Sequence, residues 1–246
     1  MRCMIKVILL WLVATCITTQ AFSMGDSTRK SSWWFVYKYG SARGNLSHYK
    51  NWATAEGLKN ISSFSNNRMI SIDIIHNRNK MVYGINTDFE LRSFGTSEPY
   101  FFSFTFRSGY TFFDNDHVQI KALGGVGLGY VFIRFENGMP TSLQDIATNY
   151  TDPFARAALF VSRFEVLTSY RLAKLNRQNR NFGVEINTML NAGVQPVLSH
   201  GGWNFGENEP DIDGSRFVGQ RVDLPQFYKA NWFIQGGISI VFASMQ

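Results

Sequence analysis

A serine beside a histidine, Ser199-His200, is the first place in this chain where residue type and spacing could do chemistry. A hydroxyl within reach of an imidazole supplies two of the three parts of a hydrolytic triad. The pair stands in "VLSHGG", where a strand-like run meets a long polar segment, a setting in which Ser and His are commonplace turn residues. The other histidines, His48, His76 and His117, fall at no spacing that would gather zinc ligands. Glu207, Glu209, Asp211 and Asp213 in "GENEPDIDGSR" are oxygen ligands suited to a hard cation, but the calcium-loop spacing is absent, so a solvated loop is expected. "GGVGLG" at 124–129 could cradle a phosphate only if a helix or a Lys-Ser/Thr pair followed, and neither does. No catalytic residue, cofactor or metal is therefore expected.

Many of the remaining ionisable residues sit on alternating runs. In "KMVYGINTDFELRSF", residues 80–94, Met81, Tyr83, Ile85, Thr87, Phe89 and Leu91 share one side, and Gly84, Asn86, Asp88, Glu90 and Arg92 share the other. Two-residue alternation places the two sets on opposite faces of a strand. Eight such runs occur, near 32–40, 69–77, 80–94, 100–113, 117–135, 155–172, 181–196 and 229–242. Their faces match from run to run. Phe102, Phe104 and Phe106 oppose Ser103, Thr105 and Arg107; Val126, Leu128 and Tyr130 oppose Lys121 and Gly125, Gly127 and Gly129. Phe164 and Val166 oppose Arg163 and Glu165; Ile186 and Leu190 oppose Glu185, Asn187 and Asn191; Trp232, Ile234, Ile238 and Ile240 oppose Asn231, Gln235 and Ser239.

Connections between the runs alternate too. "NRNK", "DND" and "AKLNRQNR" are short, whereas the other set is mostly long and polar, near 41–68, 136–154 and 197–228, with only "GTSEP" at 95–99 short among them. An up-and-down membrane barrel has this asymmetry, with short turns on the periplasmic side and long loops outside. A sandwich with Greek-key links has no reason to alternate in this way. Composition agrees. Aromatics make up 15% of the chain, with 22 Phe, 10 Tyr and 6 Trp, which suits aromatic girdles. No apolar run of about 20 residues is present to make a membrane helix.

The N-terminus, "MRCMIKVILLWLVATCITTQAFS", carries Arg2 and Lys6 ahead of an apolar run too short to span a bilayer, then small residues. It reads as a cleaved signal peptide over residues 1–23, leaving 24–246 as one barrel domain. Both cysteines, Cys3 and Cys16, lie in that segment, so the exported chain has no disulfide to stabilise it. Its basic residues are scattered, which argues against a nucleic-acid surface.

A soluble β protein would turn the apolar face inward and its charges to water. The breadth of the aromatic face, the turn asymmetry and the cysteine-free export together favour lipid outside and charge inside. That inner set is Lys38, Asp73, Asp88, Glu90, Arg92, Arg107, Lys121, Arg163, Glu165 and Glu185, five acids and five bases. Eight strands leave an interior just wide enough for side chains to fill. Unpaired charges there would cost several kcal/mol each, so the near-balance predicts a paired network.

The signal peptide, the glycine-rich "LGGVGLGYVF" at 123–132 and the last alternating strand through Phe242 resemble the small outer-membrane barrels of Gram-negative bacteria. These are the OmpA/OmpX and opacity-type group, and the likeness extends to the eight-stranded barrels of Bacteroidetes. The resemblance covers the mature chain and implies an all-β, eight-stranded antiparallel up-and-down barrel in the outer membrane. It departs from that pattern at the end, where Ala243-Ser244-Met245-Gln246 follow the aromatic Phe242 that the assembly machinery would read. Some barrels of this size deacylate lipid A with Ser and His, but they place His two residues ahead of Ser, the reverse of the order here. The resemblance thus implies a non-enzymatic monomer with a plugged lumen and a surface role through long loops. Its partners would be outer-membrane lipid and lipopolysaccharide, the barrel assembly machinery and an extracellular ligand. A narrow channel for small solutes and a lipid A-modifying enzyme stand as alternatives.

Overall fold

Extended, β-branched and aromatic-rich segments that alternate over their whole length have one way to satisfy their backbone in lipid, which is to close on themselves. The computed structural model describes residues 31–244 except 60, 62, 92–96, 116, 136–137, 177–181, 212–213 and 226–229. The segment read as a signal peptide lies outside the described residues.

Nine strands form one antiparallel sheet: β1 (Ser31–Asn45), β2 (Phe64–Arg78), β3 (Met81–Leu91), β4 (Tyr100–Asp114), β5 (Val118–Arg134), β6 (Phe154–Asn176), β7 (Phe182–Asp211), β8 (Gly214–Val222) and β9 (Ala230–Ser244). Neighbours in sequence pair from β1 to β7, β7 pairs β9, and β9 returns to β1, from Ser31 opposite Ser244 to Arg43 opposite Trp232. Eight strands thus close a ring, while β8 pairs only with the far half of β7, from Trp203 to Asp211.

Solvent exposure shows which way the faces point. Lys38, Lys121 and Arg163 are 0% exposed, whereas Leu128 is 68% and Trp232 67% exposed. A water-soluble protein has the opposite distribution. Trp33, Phe35, Tyr37 and Tyr39 of β1 all point out, and Phe106, Ile234, Ile238 and Ile240 extend the same apolar wall. Aromatic rings collect at both of its edges. Trp33, Tyr110, Phe112 and Tyr170 lie near the short turns, and Tyr100, Tyr130, Phe132 and Trp232 lie near the opposite end. The molecule is a transmembrane β-barrel, with its apolar surface turned to acyl chains.

The closed ring and the short connections from β2 to β3, β4 to β5 and β6 to β7 match the sequence reading. The long connections do not, because they are partly built. The first contains helix α1 (Ser47–Ala55), and the second a 3₁₀ turn (Thr141–Leu143) running into the short helix α2 (Gln144–Ala147). The third is not a loop. β7 runs on for 30 residues and folds back as β8. The polar run 197–228 reads as loop because its upper half stands clear of lipid and has no need of an apolar face.

The interior has three tiers. Near the short turns Trp34, Val36, Ile75, Val82, Leu123, Leu167, Met189 and Val241 pack together. The ionised residues fill the middle. At the long-loop end a water-type core forms above the membrane: Leu46, Tyr49 and Ala53 of α1 pack with Leu58, Leu143, Val131, Ile133, Trp203, Phe205 and Leu224.

Candidate functional site: the charged interior

Each charged residue of the middle tier is placed by strand alternation, and the six come from five strands of the ring. Lys38 of β1 lies 2.8 Å from Asp73 of β2, through Nζ and Oδ2. Arg107 of β4 reaches the same Oδ2 at 3.1 Å and also pairs with Glu165 of β6. Arg163 donates from Nε to Glu165 Oε2 at 2.7 Å and pairs with Asp88 of β3. Lys38, Arg107 and Arg163 therefore face Asp73, Asp88 and Glu165, three against three, in one chain of contacts across the barrel.

Amides and hydroxyls add further bonds, although Arg107 Nε and Arg163 Nη2 have no hydrogen-bond partner among the described residues. Asn86 Nδ2 donates to Asp73 at 2.7 Å and to Asp88 at 3.1 Å, and Ser71 Oγ donates to Asp88 at 2.5 Å. Asn191 donates to Glu165 at 3.0 Å, and Gln235 donates to Ser71 at 2.5 Å. A low-dielectric interior strengthens such bonds and makes any unfilled one expensive.

The other charges stand apart from this chain. Glu90 accepts from Asn67 at 2.9 Å and from Asn231 at 2.7 Å, nearer the long-loop end. Lys121 lies over the Trp34 ring, 3.1 Å from its centroid, at the other end. Glu185 meets Arg171 Nε at 3.0 Å across β6 and β7. The structure thus buries nine of the ten residues singled out from the sequence and links six of them; Arg92 lies outside the described residues. Alternation alone did not find Trp34 and Phe233, apolar residues on the polar face that meet cations there. The Arg163 guanidinium stands 4.0 Å over the Phe233 ring. The doublet Trp33-Trp34 carried a signal, since two adjacent strand residues cannot share a face.

Large cations need room in so narrow a cylinder, and glycine supplies it on the next strand. Arg107 is registered opposite Gly125, where a Cβ would fall 2.7 Å from Arg107 Cγ. Lys38 is opposite Gly237, where a Cβ would fall 2.9 Å from Lys38 Cγ. The glycine-rich stretch is therefore part of the wall.

Ser199 and His200 are not at a loop junction as expected but within β7. His200 Nδ1, the atom that an orienting carboxylate would hold in a triad, lies 2.5 Å from the Gly201 carbonyl. Its ring packs on Trp203 with centroids 5.0 Å apart. Of the acidic cluster, Glu207 lies on β7 and accepts from the backbone N–H groups of Thr151 at 2.7 Å and Asp152 at 3.1 Å, so it ties two connections together. Asp213 lies outside the described residues. Among the described residues no group of His, Cys, Asp or Glu is arranged to hold a metal.

No protein-family profile and no curated protein sequence matches the chain. Solved structures similar to it include Neisserial surface protein A (NspA), 9% identical over 85% of this chain and 96% of that one, with a TM-score of 0.43. Ail, the attachment invasion locus protein of Yersinia pestis, is 12% identical over 85% of this chain and 99% of that one, with a TM-score of 0.38. The translocator domain of the autotransporter NalP from Neisseria meningitidis is 9% identical over 97% of each chain, with a TM-score of 0.33. The architecture itself, a closed antiparallel ring with lipid-facing aromatics outside and ionised side chains within, is that of an outer-membrane β-barrel.

Proposed function

We propose that this chain is a non-enzymatic outer-membrane barrel of a Gram-negative bacterium, closed to solutes through its centre and active at the cell surface through its long-loop end. One observation carries the reading: the three-against-three ion-pair chain of Lys38, Arg107, Arg163, Asp73, Asp88 and Glu165, in which charges from β1, β2, β3, β4 and β6 hold one another across the lumen. Moving any one of them out of the path leaves an uncompensated buried charge, a cost of about 3–5 kcal/mol. The apolar tiers above and below add two further barriers to ions and water. On this reading lipid and lipopolysaccharide surround the belt and the barrel assembly machinery inserts the monomer. An extracellular ligand meets the surface formed by α1, α2 and the β7–β8 hairpin.

Single-channel recording in planar bilayers tests the closed centre. The refolded barrel is expected to give no discrete conductance steps, and a steady ohmic step per inserted molecule would replace this reading with a narrow channel. Lipid A mass from cells carrying the wild-type chain or Ser199→Ala tests the non-enzymatic role. Identical lipid A is expected, and an acyl-chain difference that vanishes with the substitution would contradict it.

A further inference from the structure

β8 stands outside the closed ring, so one of its edges has no neighbour. Among the described residues it pairs with β7 alone, in unbroken register from Val222 opposite Trp203 to Gly214 opposite Asp211. The strand that flanks β7 lower down, β9, reaches only to Ala230 opposite Pro196, below the base of the hairpin. β6 ends its pairing at Gly206, so from Glu207 to Asp211 the hairpin rises as two strands alone, by about 16 Å. Its outer face is braced against the wall. The Phe217 ring meets Phe154 edge-on with centroids 5.4 Å apart, and the Arg156 guanidinium lies 3.7 Å over the same ring.

An exposed edge offers a row of N–H and C=O groups to any extended chain, and a protein with no use for it blocks it with lysine, proline, a bulge or brevity. β8 carries none of these. It runs for 9 residues, "GSRFVGQRV", with no Lys, Pro, Asp or Glu and no shift of register. Val218 at its midpoint is 37% exposed, and Gly219 and Gln220 are exposed beside it.

Symmetry decides how a second copy of this chain would use that edge. Two identical edges pair antiparallel about a two-fold axis, because parallel strands related by a two-fold set donor against donor. Antiparallel pairing turns one barrel end over end relative to the other. Copies in one membrane all stand the same way up, so the partner stands in a facing membrane. Centred on Val218, the pairing uses the whole strand and is self-complementary. Val218 meets the partner's Val218, Phe217 falls opposite the partner's Gly219, Arg216 opposite the partner's Gln220 and Ser215 opposite the partner's Arg221, so no two cations are set against each other. We propose that β8 is a homotypic adhesion strand, adding to β8 of a second copy in the outer membrane of a facing cell. The inference rests on the outer-membrane reading above and names the partner of its surface end. One strand pair is weak, but each cell surface presents many copies and their contacts act together.

The test displays the full chain on cells of a Gram-negative host that lacks long surface polysaccharide, one population labelled green and another red. Microscopy counts mixed aggregates, and heat-modifiable gel migration of outer-membrane extracts shows that each variant is inserted and folded. Failure of wild type to insert would count against the outer-membrane reading and take this inference with it; every other outcome is read on folded barrels. Wild-type cells are expected to aggregate with one another and not with cells lacking the chain. Val218→Lys sets like charges opposite each other at the centre of the pair and is expected to cut aggregation about tenfold or more, as is Val218→Glu. Green Val218→Lys cells mixed with red Val218→Glu cells are expected to regain it, because unlike charges then meet. Dispersed wild-type cells, unchanged aggregation with either folded variant, no recovery in the mixed pair, or equal attachment to cells lacking the chain would overturn the adhesion strand.

Discussion

Arg163→Met is the most informative single change in the barrel. The guanidinium is fully buried, pairs with both Asp88 and Glu165, and covers the Phe233 ring. Methionine preserves much of the stem and removes the charge. Breaking a buried pair by deleting one partner costs about 3–5 kcal/mol, because the other charge stays buried. Here the orphaned carboxylates retain some support. Glu165 keeps Arg107 and Asn191, and Asp88 keeps Ser71 and Asn86. The loss is therefore expected at the lower end, about 3 kcal/mol, or roughly two powers of ten in the unfolding equilibrium. Reversible urea unfolding in phospholipid vesicles, followed by tryptophan fluorescence, measures it. Adding Asp88→Asn removes the charge left without its main partner, so the double variant should be more stable than the sum of the two single losses by at least about 1 kcal/mol. A single-variant loss below about 1 kcal/mol, or strict additivity in the pair, would mean that water already screens these groups and that the paired interior is the wrong description.

Two further outcomes follow from other parts of the molecule. Burial pushes the Tyr49 phenol well above the ordinary tyrosine value of about 10, and its hydroxyl donates to the Ser97 carbonyl at 2.5 Å. The folded state therefore keeps a proton that the unfolded chain loses. The contribution is complete below about pH 10 and falls as pH rises beyond it. Hydrogen exchange of α1 should accelerate above that pH in wild type, whereas Tyr49→Phe should show faster exchange at neutral pH and a flatter alkaline profile. At Gly125, valine would meet Arg107 Cγ and the Phe106 carbonyl. Overpacking of this kind costs about 1–3 kcal/mol, so the heat-modifiable folded fraction should drop, and Arg107→Ala should cost less in that background than in wild type, because the clash with Cγ is relieved.

The ring was legible in the sequence because lipid imposes a two-residue rule on every strand that crosses it. Gly84 to Leu91, Phe102 to Arg107 and Ile234 to Ser239 carry the alternation without a break, and each falls on the face it was given. That Gly125 faces Arg107 and Gly237 faces Lys38 depends on strand register, which no single run reveals. What the alternation could not reveal lies where lipid no longer applies. Helix α1 buries Tyr49 and Ala53 yet has little amphipathic pattern in the sequence, and its N-cap residue, Leu46, has no polar side chain to announce a helix start. The upper half of β7 buries Trp203 and Phe205 among polar and glycine residues that read as a loop. The balance of five acids and five bases could be counted in advance, but which acid meets which base depends on the stagger of strands around the cylinder, which spacing along one strand does not encode.

β7 has a mechanical consequence. It is one uninterrupted strand from the inner rim to the tip of the outer hairpin, held against β9 from Phe182 to Pro196 and against β6 from Gly183 to Gly206. A pull on the hairpin from outside the cell would load those ladders lengthwise, so that many hydrogen bonds resist together instead of opening one after another. A tether built this way transmits tension into the cylinder wall and lets go only when the wall itself yields.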